Sequence, residues 1–361
     1  MFYQVKCIKA DLELRMKTIK TFFVILLTAA LAGCGGGGGG GDTGGNPPSG
    51  SSGPIYTVST LTLDNALNAP SGLTVDTHGN LYVADTGANL IKKIQNLSNS
   101  TVNVSSVLGG GGNDYNTCSG SQLASPYGVA VDSAGILYVS ELFKPDIRYS
   151  NCPNISSQYG NVSLSGPRAI ALRDDNHLYV ADTGNHKIRL ITKTAPGNGT
   201  TTLLAGTSIG YVDGASNIAA FSSPTGIAVS STGDVFVTDT NNCVVRKISA
   251  GQVTTFAGGG PAACGSSDGT ATAAKFNGPA GIALDAGGNL YVADTANNKI
   301  RLITPQGVVK TVAGSGVSGS ADGTGTSATF NTPTGIAVDS NGNVFVTESA
   351  SGKIRKITVT P

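Results

Sequence analysis

Pro279–Ile303 reads PAGIALDAGGNLYVADTANNKIRLI, and its pattern of apolar and turn-forming residues decides the fold. Ile282 and Leu284 alternate with Ala283, the period-2 pattern of a strand. Ala286-Gly287-Gly288-Asn289 follows, a cluster tolerant of the positive φ that tight turns use. Leu290–Asp294 is rich in strand formers, Thr295–Asn298 reads as a second turn, and Lys299–Ile303 sets Ile300 and Leu302 against charged neighbours. Beyond the turn Pro305-Gln306-Gly307, Val308–Ala313 supplies a fourth short strand. The unit is predicted to be a four-stranded antiparallel meander.

The unit recurs. Pro70, Pro126, Pro167, Pro224, Pro279 and Pro333 each open a copy, with successive spacings of 56, 41, 57, 55 and 54 residues. Near-constant self-similarity of this length marks a repeat architecture. A small sheet with apolar residues on both faces cannot bury them alone, so the copies must stack face to face. Six such sheets fall within the usual range of about 4 to 8 blades for a β-propeller. The expected fold is all-β, a six-bladed propeller of four-stranded blades.

The strings PTGIAVDSNGNVFVTESASGKIRKI and PAGIALDAGGNLYVADTANNKIRLI resemble NHL repeats, a six-bladed propeller family, and the resemblance runs from about Ile55 to the C-terminus. Kelch and WD-type propellers fit less well, because they usually place a Trp in each blade and this chain has none. The YWTD-type propeller is closer, with LYVAD where YWTD would stand, but lacks its Trp here too. The resemblance implies an interaction domain, as NHL propellers often are. It also admits an enzyme, since some six-bladed relatives are amidating lyases or lactonases that hold a metal with His or acidic ligands in the channel.

Residues 1–33 read as an export signal. Lys17 and Lys20 precede the apolar run Thr21–Ala32, too short for a permanent membrane span but suited to a signal-peptide core. Leu31-Ala32-Gly33-Cys34 resembles the bacterial lipobox, which implies diacylglyceryl transfer to Cys34, cleavage before it and acylation of the new amino terminus. A start at Met16 gives a compact signal peptide and leaves Cys7 without meaning. Residues 34–53 form a Gly/Ser/Pro-rich tether with a reach of roughly 25 Å. Gly35 rather than Asp follows the cysteine, which favours the outer membrane over the inner. Residues 54–361 are the propeller.

Ile55–Leu63 is a strand without a blade, and the copy opened by Pro333 has only three strands before the chain ends. The N-terminal strand is therefore expected to complete the last blade and close the ring. The second copy departs after Ser140, where Glu141-Leu142-Phe143-Lys144-Pro145-Asp146 replaces the D-T-x-N turn; these six residues are a candidate binding loop, or a drifted turn. In the long connections, Phe221, Phe276 and Phe330 each stand three residues before the next Pro and are expected to plug apolar space between blades.

Without residues 1–33 the chain carries 18 basic and 20 acidic residues. A near-neutral ring has no overall electrostatic case for nucleic acid, and export argues the same way. In an oxidising compartment the even set Cys118, Cys152, Cys243 and Cys264 suggests two disulfides; three connectivities are possible, and Cys118–Cys152 with Cys243–Cys264 is favoured, free thiols being the alternative.

Signals for chemistry are few. His78, His177 and His186 fall at turns where other copies have Gly, Asn or Ser, which reads as surface. Asp85, Asp182, Asp239, Asp294 and Glu348 end the second strand, and Arg189, Arg246, Arg301 and Arg355 recur in the third; side chains needed in nearly every blade read as turn-holding partners. Asp76, Asp132, Asp285 and Asp339 end the first strand and offer the alternative of a cation ring, broken by Arg173 and Ser230. No nucleophile elbow, Walker loop or zinc-type spacing appears, so no catalytic, cofactor-binding or metal residues are assigned. The expectation is a monomeric, lipid-anchored envelope lipoprotein whose propeller binds a protein, peptide or glycan. The alternative is a metal-dependent lyase or lactonase-like enzyme on the same fold.

Overall fold

The computed structural model describes residues 53–95, 97, 102–109, 123–150, 163–195 and 198–360. Six antiparallel sheets follow one another along the chain, each packed against the next by a layer of Val, Ile and Leu from both. The innermost strands are Pro70–Val75, Pro126–Val131, Ile170–Asp174, Pro224–Val229, Pro279–Leu284 and Pro333–Val338. Consecutive inner strands contact one another, and the sixth contacts the first, so the ring closes. Each inner strand pairs with its own second strand only, leaving its other edge toward the axis.

Ring closure takes the expected form. Ile55–Thr60 pairs antiparallel with Lys353–Thr360, from Ile55 opposite Thr360 to Thr60 opposite Arg355. Val58 is buried in the layer between the fifth and sixth blades. The blades are less uniform than four strands each. The second shows three, Pro126–Val131, Leu137–Glu141 and Ile147–Tyr149, in keeping with its short spacing. The fourth, fifth and sixth have five, because the loop leading into each adds a two-residue outer strand: Gly214–Ala215, Gly269–Thr270 and Gly323–Thr324.

Strand direction defines two faces. The upper face holds the start of each inner strand, the turns between second and third strands, and the long inter-blade loops; the lower face holds the turns between first and second strands. In four blades the upper turn is a 3-10 helix, Thr86–Ala88, Thr183–Asn185, Thr240–Asn242 and Thr295–Asn297, followed by a left-handed residue at φ 51–58°. The threonine that opens each reaches across to the next blade: Thr86, Thr183, Thr240 and Thr295 Oγ1 all donate at 2.7 Å to the carbonyl of the next blade's opening proline.

The axis is narrowest at one ring of small residues. The third residue of each copy is Gly72, Gly128, Ala169, Gly226, Gly281 or Gly335. A Cβ at Gly72, Gly226, Gly281 or Gly335 would lie 2.1–2.5 Å from a backbone oxygen of the next blade. Glycine is needed here for close approach, not for its φ range. At this ring the bore holds a cavity of about 60 Å³; below it the bore widens to about 310 Å³ between the strand edges.

Candidate functional site

The recurring carboxylates are structural. Each accepts the backbone N–H of the residue two before its own blade's proline: Asn68 to Asp85, Ser165 to Asp182, Ser222 to Asp239, Asn277 to Asp294 and Asn331 to Glu348, at 2.6–3.1 Å. Glu141 does the same for Ala124 and pairs with Arg148. In blades four to six the third-strand arginine is wholly buried and joins two carboxylates. Arg246 binds Asp239 at 2.9 Å and Asp213, Arg301 binds Asp294 at 2.7 Å and Asp268, and Arg355 binds Glu348 and Asp322, each at 2.8 Å. Each guanidinium also lies about 5 Å over the ring of Phe221, Phe276 or Phe330, all fully buried as expected. These arginines pin the long loops to the blades they enter. Burial pushes the Asp239 carboxyl up to about 6, against the hydrogen bonds and the charge of Arg246.

The first-strand aspartates are likewise engaged in their own turns. Asp76 Oδ1 accepts the N–H groups of His78 and Asn80, both at 2.9 Å; Asp132 and Asp339 repeat the pattern, and Asp285 accepts the N–H of Asn289. Among the described residues no group of three metal-ligating side chains converges. A polar recess of about 500 Å³ opens between the lower turns of blades one and two, but its walls satisfy one another: Asn80 Nδ2 donates to Asp76 at 2.7 Å, and Lys93 lies 5.4 Å over the Tyr82 ring. His78 is exposed in its turn, His177 pairs with Asp174 at 2.7 Å, and His186 Nδ1 accepts the N–H of Ser223 at 3.0 Å. Asn89 and Asn298 make the same inter-blade bond to Ser125 and Thr332, so His186 serves as an asparagine here.

Cys243 takes that left-handed position in blade four and is bonded to Cys264 in the following loop, with Cα atoms 5.5 Å apart. Cys118, Cys152 and Cys34 lie outside the described residues. Of Glu141–Asp146, Glu141 is buried in the role just described, Leu142 and Asp146 are partly covered, and Phe143, Lys144 and Pro145 are exposed on the upper face. Leu142 N–H donates to Ser125 O at 3.0 Å, tying this loop to the start of the Pro126 strand.

That strand begins at the upper mouth of the bore, where the copies diverge most. The residue after the opening proline is Ser71, Thr225, Ala280 or Thr334 in four blades, but Tyr127 and Arg168 in blades two and three. The two large side chains are neighbours: the Arg168 guanidinium lies 5.1 Å over the Tyr127 ring. Burial raises the Tyr127 hydroxyl pKa, with the charge of Arg168 acting in opposition. Both residues are partly exposed. Sequence reading passed over this pair because neither residue matches a chemical motif. Comparing the copies at this one position would have found it.

Six antiparallel sheets around a glycine-lined axis, closed by the N-terminal strand, define a six-bladed β-propeller. The chain is an NHL-repeat propeller: the NHL repeat profile matches residues 67–94, 164–189, 221–248 and 330–357, and the Teneurin NHL domain profile matches residues 250–324. Neither covers residues 126–150, the divergent second copy. Human NHL repeat-containing protein 2 is 27% identical over 310 residues, 81% of this chain and 39% of that protein. The chain spans well under half the length of the curated relatives it matches. Among solved structures, an auxiliary nutrient binding protein from Bacteroides ovatus aligns over 85% of this chain and 77% of its own, with TM-score 0.62 and 18% identity. Virginiamycin B lyase from Staphylococcus aureus aligns over 84% and 100%, with TM-score 0.54 and 18% identity. At these identities the likeness is one of fold.

Proposed function

We propose that this chain is a lipid-anchored protein of the bacterial cell envelope, outer membrane before inner, whose NHL propeller is a non-catalytic binding module with its recognition surface on the upper face. One observation carries the choice of face. Among the described residues the repeated polar groups are engaged within and between blades, and the upper face gathers large side chains that depart from the repeat: Tyr127 and Arg168 at the mouth, and Phe143, Ile209 and Val317, which are 77%, 64% and 66% exposed in the loops around it. Aromatic and aliphatic side chains beside an arginine make a surface suited to recognition. The nutrient-binding description of the Bacteroides ovatus propeller supports a binding role; the chemistry of the Staphylococcus aureus lyase supports the enzymatic alternative through fold alone.

The test is cross-linking in cells from a photoreactive residue at Phe143, beside the same probe at Asn341 on the lower face. The expected result is a discrete adduct from Phe143 only, and adducts from Asn341 alone would refute the face assignment. The anchor is tested separately by metabolic labelling with a fatty-acid analogue, which should mark the wild type and not Cys34→Ala.

A further inference from the structure

We propose that the upper face of the propeller docks on an anionic phospholipid surface, with Phe143, Ile209 and Val317 entering the headgroup layer and the lysines beside them meeting its phosphates. The proposal rests on the upper-face reading above and names the partner of that face.

The apolar side chains point to a lipid surface by their spread. Phe143, Val317 and Ile209, at 77%, 66% and 64%, are the three most exposed large apolar residues among those described, and all three stand in upper-face loops. They do not form one patch: Phe143 belongs to blade two, Ile209 to the loop between blades three and four, and Val317 to the loop between blades five and six. A protein partner buries its apolar anchors in a continuous, desolvated core. Tips set apart around a ring suit a medium that yields wherever a tip enters, as a bilayer does.

Each tip has a lysine beside it. Lys144 follows Phe143 in the chain. The loop bearing Ile209 starts at Gly206, where a Cβ would lie 3.1 Å from Lys187 Cα, and the loop bearing Val317 starts at Gly314, where a Cβ would lie 3.0 Å from Lys299 Cα. Lys275 and Lys353 are two further exposed cations of this face. Among the described residues none of these five is in an ion pair, in contrast to Lys92, Lys193 and Lys247.

The carboxylates of the two faces complete the pattern. The six that end the second strands, from Asp85 to Glu348, are buried, each against its own lysine or arginine. Asp213, Asp268 and Asp322 are held by three of the same arginines, and Asp146, partly covered, is the exception in the upper turns. The turns of the lower face carry seven aspartates and no lysine or arginine. An anionic bilayer therefore attracts the upper face and repels the lower one, which fixes the orientation of approach. Residues 34–53 extend to roughly 65 Å, against about 26 Å for the rise of the eight-residue strand Lys353–Thr360, so an anchor at Cys34 is compatible with upper-face docking on the same membrane.

The experiment is flotation of residues 53–361, a ring that includes its own closing strand and lacks Cys34 and Thr21–Ala32, with vesicles of phosphatidylglycerol and phosphatidylethanolamine and, separately, of phosphatidylcholine. The expected result is binding to the anionic vesicles, about tenfold weaker when salt rises from about 0.05 M to about 0.5 M and at least about tenfold weaker on phosphatidylcholine. Ile209→Ser with Val317→Ser, and separately Lys187→Gln with Lys299→Gln, should each weaken binding about tenfold at unchanged melting temperature. The chain has no tryptophan, so Phe143→Trp is a single fluorescent reporter. Its emission should move to shorter wavelength on anionic vesicles, and that of Asn341→Trp on the lower face should not. Absence of binding to the anionic vesicles overturns the proposal, as do full binding by both double variants or a shift from Asn341→Trp in place of Phe143→Trp. A discrete protein adduct from Phe143 in cells without vesicle binding leaves the upper-face reading standing and refutes this one; absence of both refutes both.

Discussion

Gly226 shows how a single residue sets the diameter of the molecule. A Cβ there would meet Ala280 O at 2.1 Å and Thr238 Oγ1 at 2.8 Å, so the two inner strands would have to separate. Gly226→Ala is expected to cost about 1–3 kcal/mol, as over-packing of a tight interface does, read as a lower urea midpoint at unchanged slope. Gly226 was legible in the sequence as a repeated position, but its reason was not, because the clash is with a strand about 55 residues away in the chain. The same holds for the arginines. Arg168 and Arg301 are equal as letters; Arg301 is wholly buried between Asp294 and Asp268, whereas Arg168 is partly exposed over the Tyr127 ring, and only their surroundings separate them.

At the scale of the element, the loop-pinning brace is the unit of stability in blades four to six. Arg301→Ala would strand the buried carboxylate of Asp294 without its cation, and a loss of about 3–5 kcal/mol is expected by chemical denaturation. The outer carboxylates make a pH prediction. Burial alone would raise the pKa of Asp268 and Asp322, but hydrogen bonds from Thr311 and Thr60 and the charges of Arg301 and Arg355 hold both below the ordinary range. A carboxyl with a depressed folded pKa contributes stability above its unfolded pKa and loses it as pH falls toward the folded value. Stability should therefore decline as pH falls below about 4, and the decline should be shallower in the Asp268→Asn, Asp322→Asn double variant. Asp239, raised to about 6 by burial, has the opposite sign: its contribution is present at low pH and is lost as pH rises through 6. Comparing acid limbs of the two proteins by circular dichroism checks the assignment; identical limbs would remove it.

For the whole molecule, closure depends on Ile55–Thr60. Removing it would expose the edge of Lys353–Thr360, unbury the layer around Val58, and strip Asp322 of the Thr60 N–H and Oγ1 donors at 3.1 and 2.8 Å. Deletion of residues 55–60 is expected to lower Tm by at least about 5 °C, and an unchanged Tm would show that the ring closes without it. The blade count, the four-strand plan of blades one and three, the plugging phenylalanines and the closing strand follow from the sequence, because each is a local pattern repeated in register along the chain. The two-residue outer strands, the twin-carboxylate arginine braces and the mouth formed by Tyr127 and Arg168 were decided by tertiary structure alone. They join groups from neighbouring blades or from a loop and the blade it enters, and no local pattern records which polar side chains meet across a blade interface and which remain facing solvent.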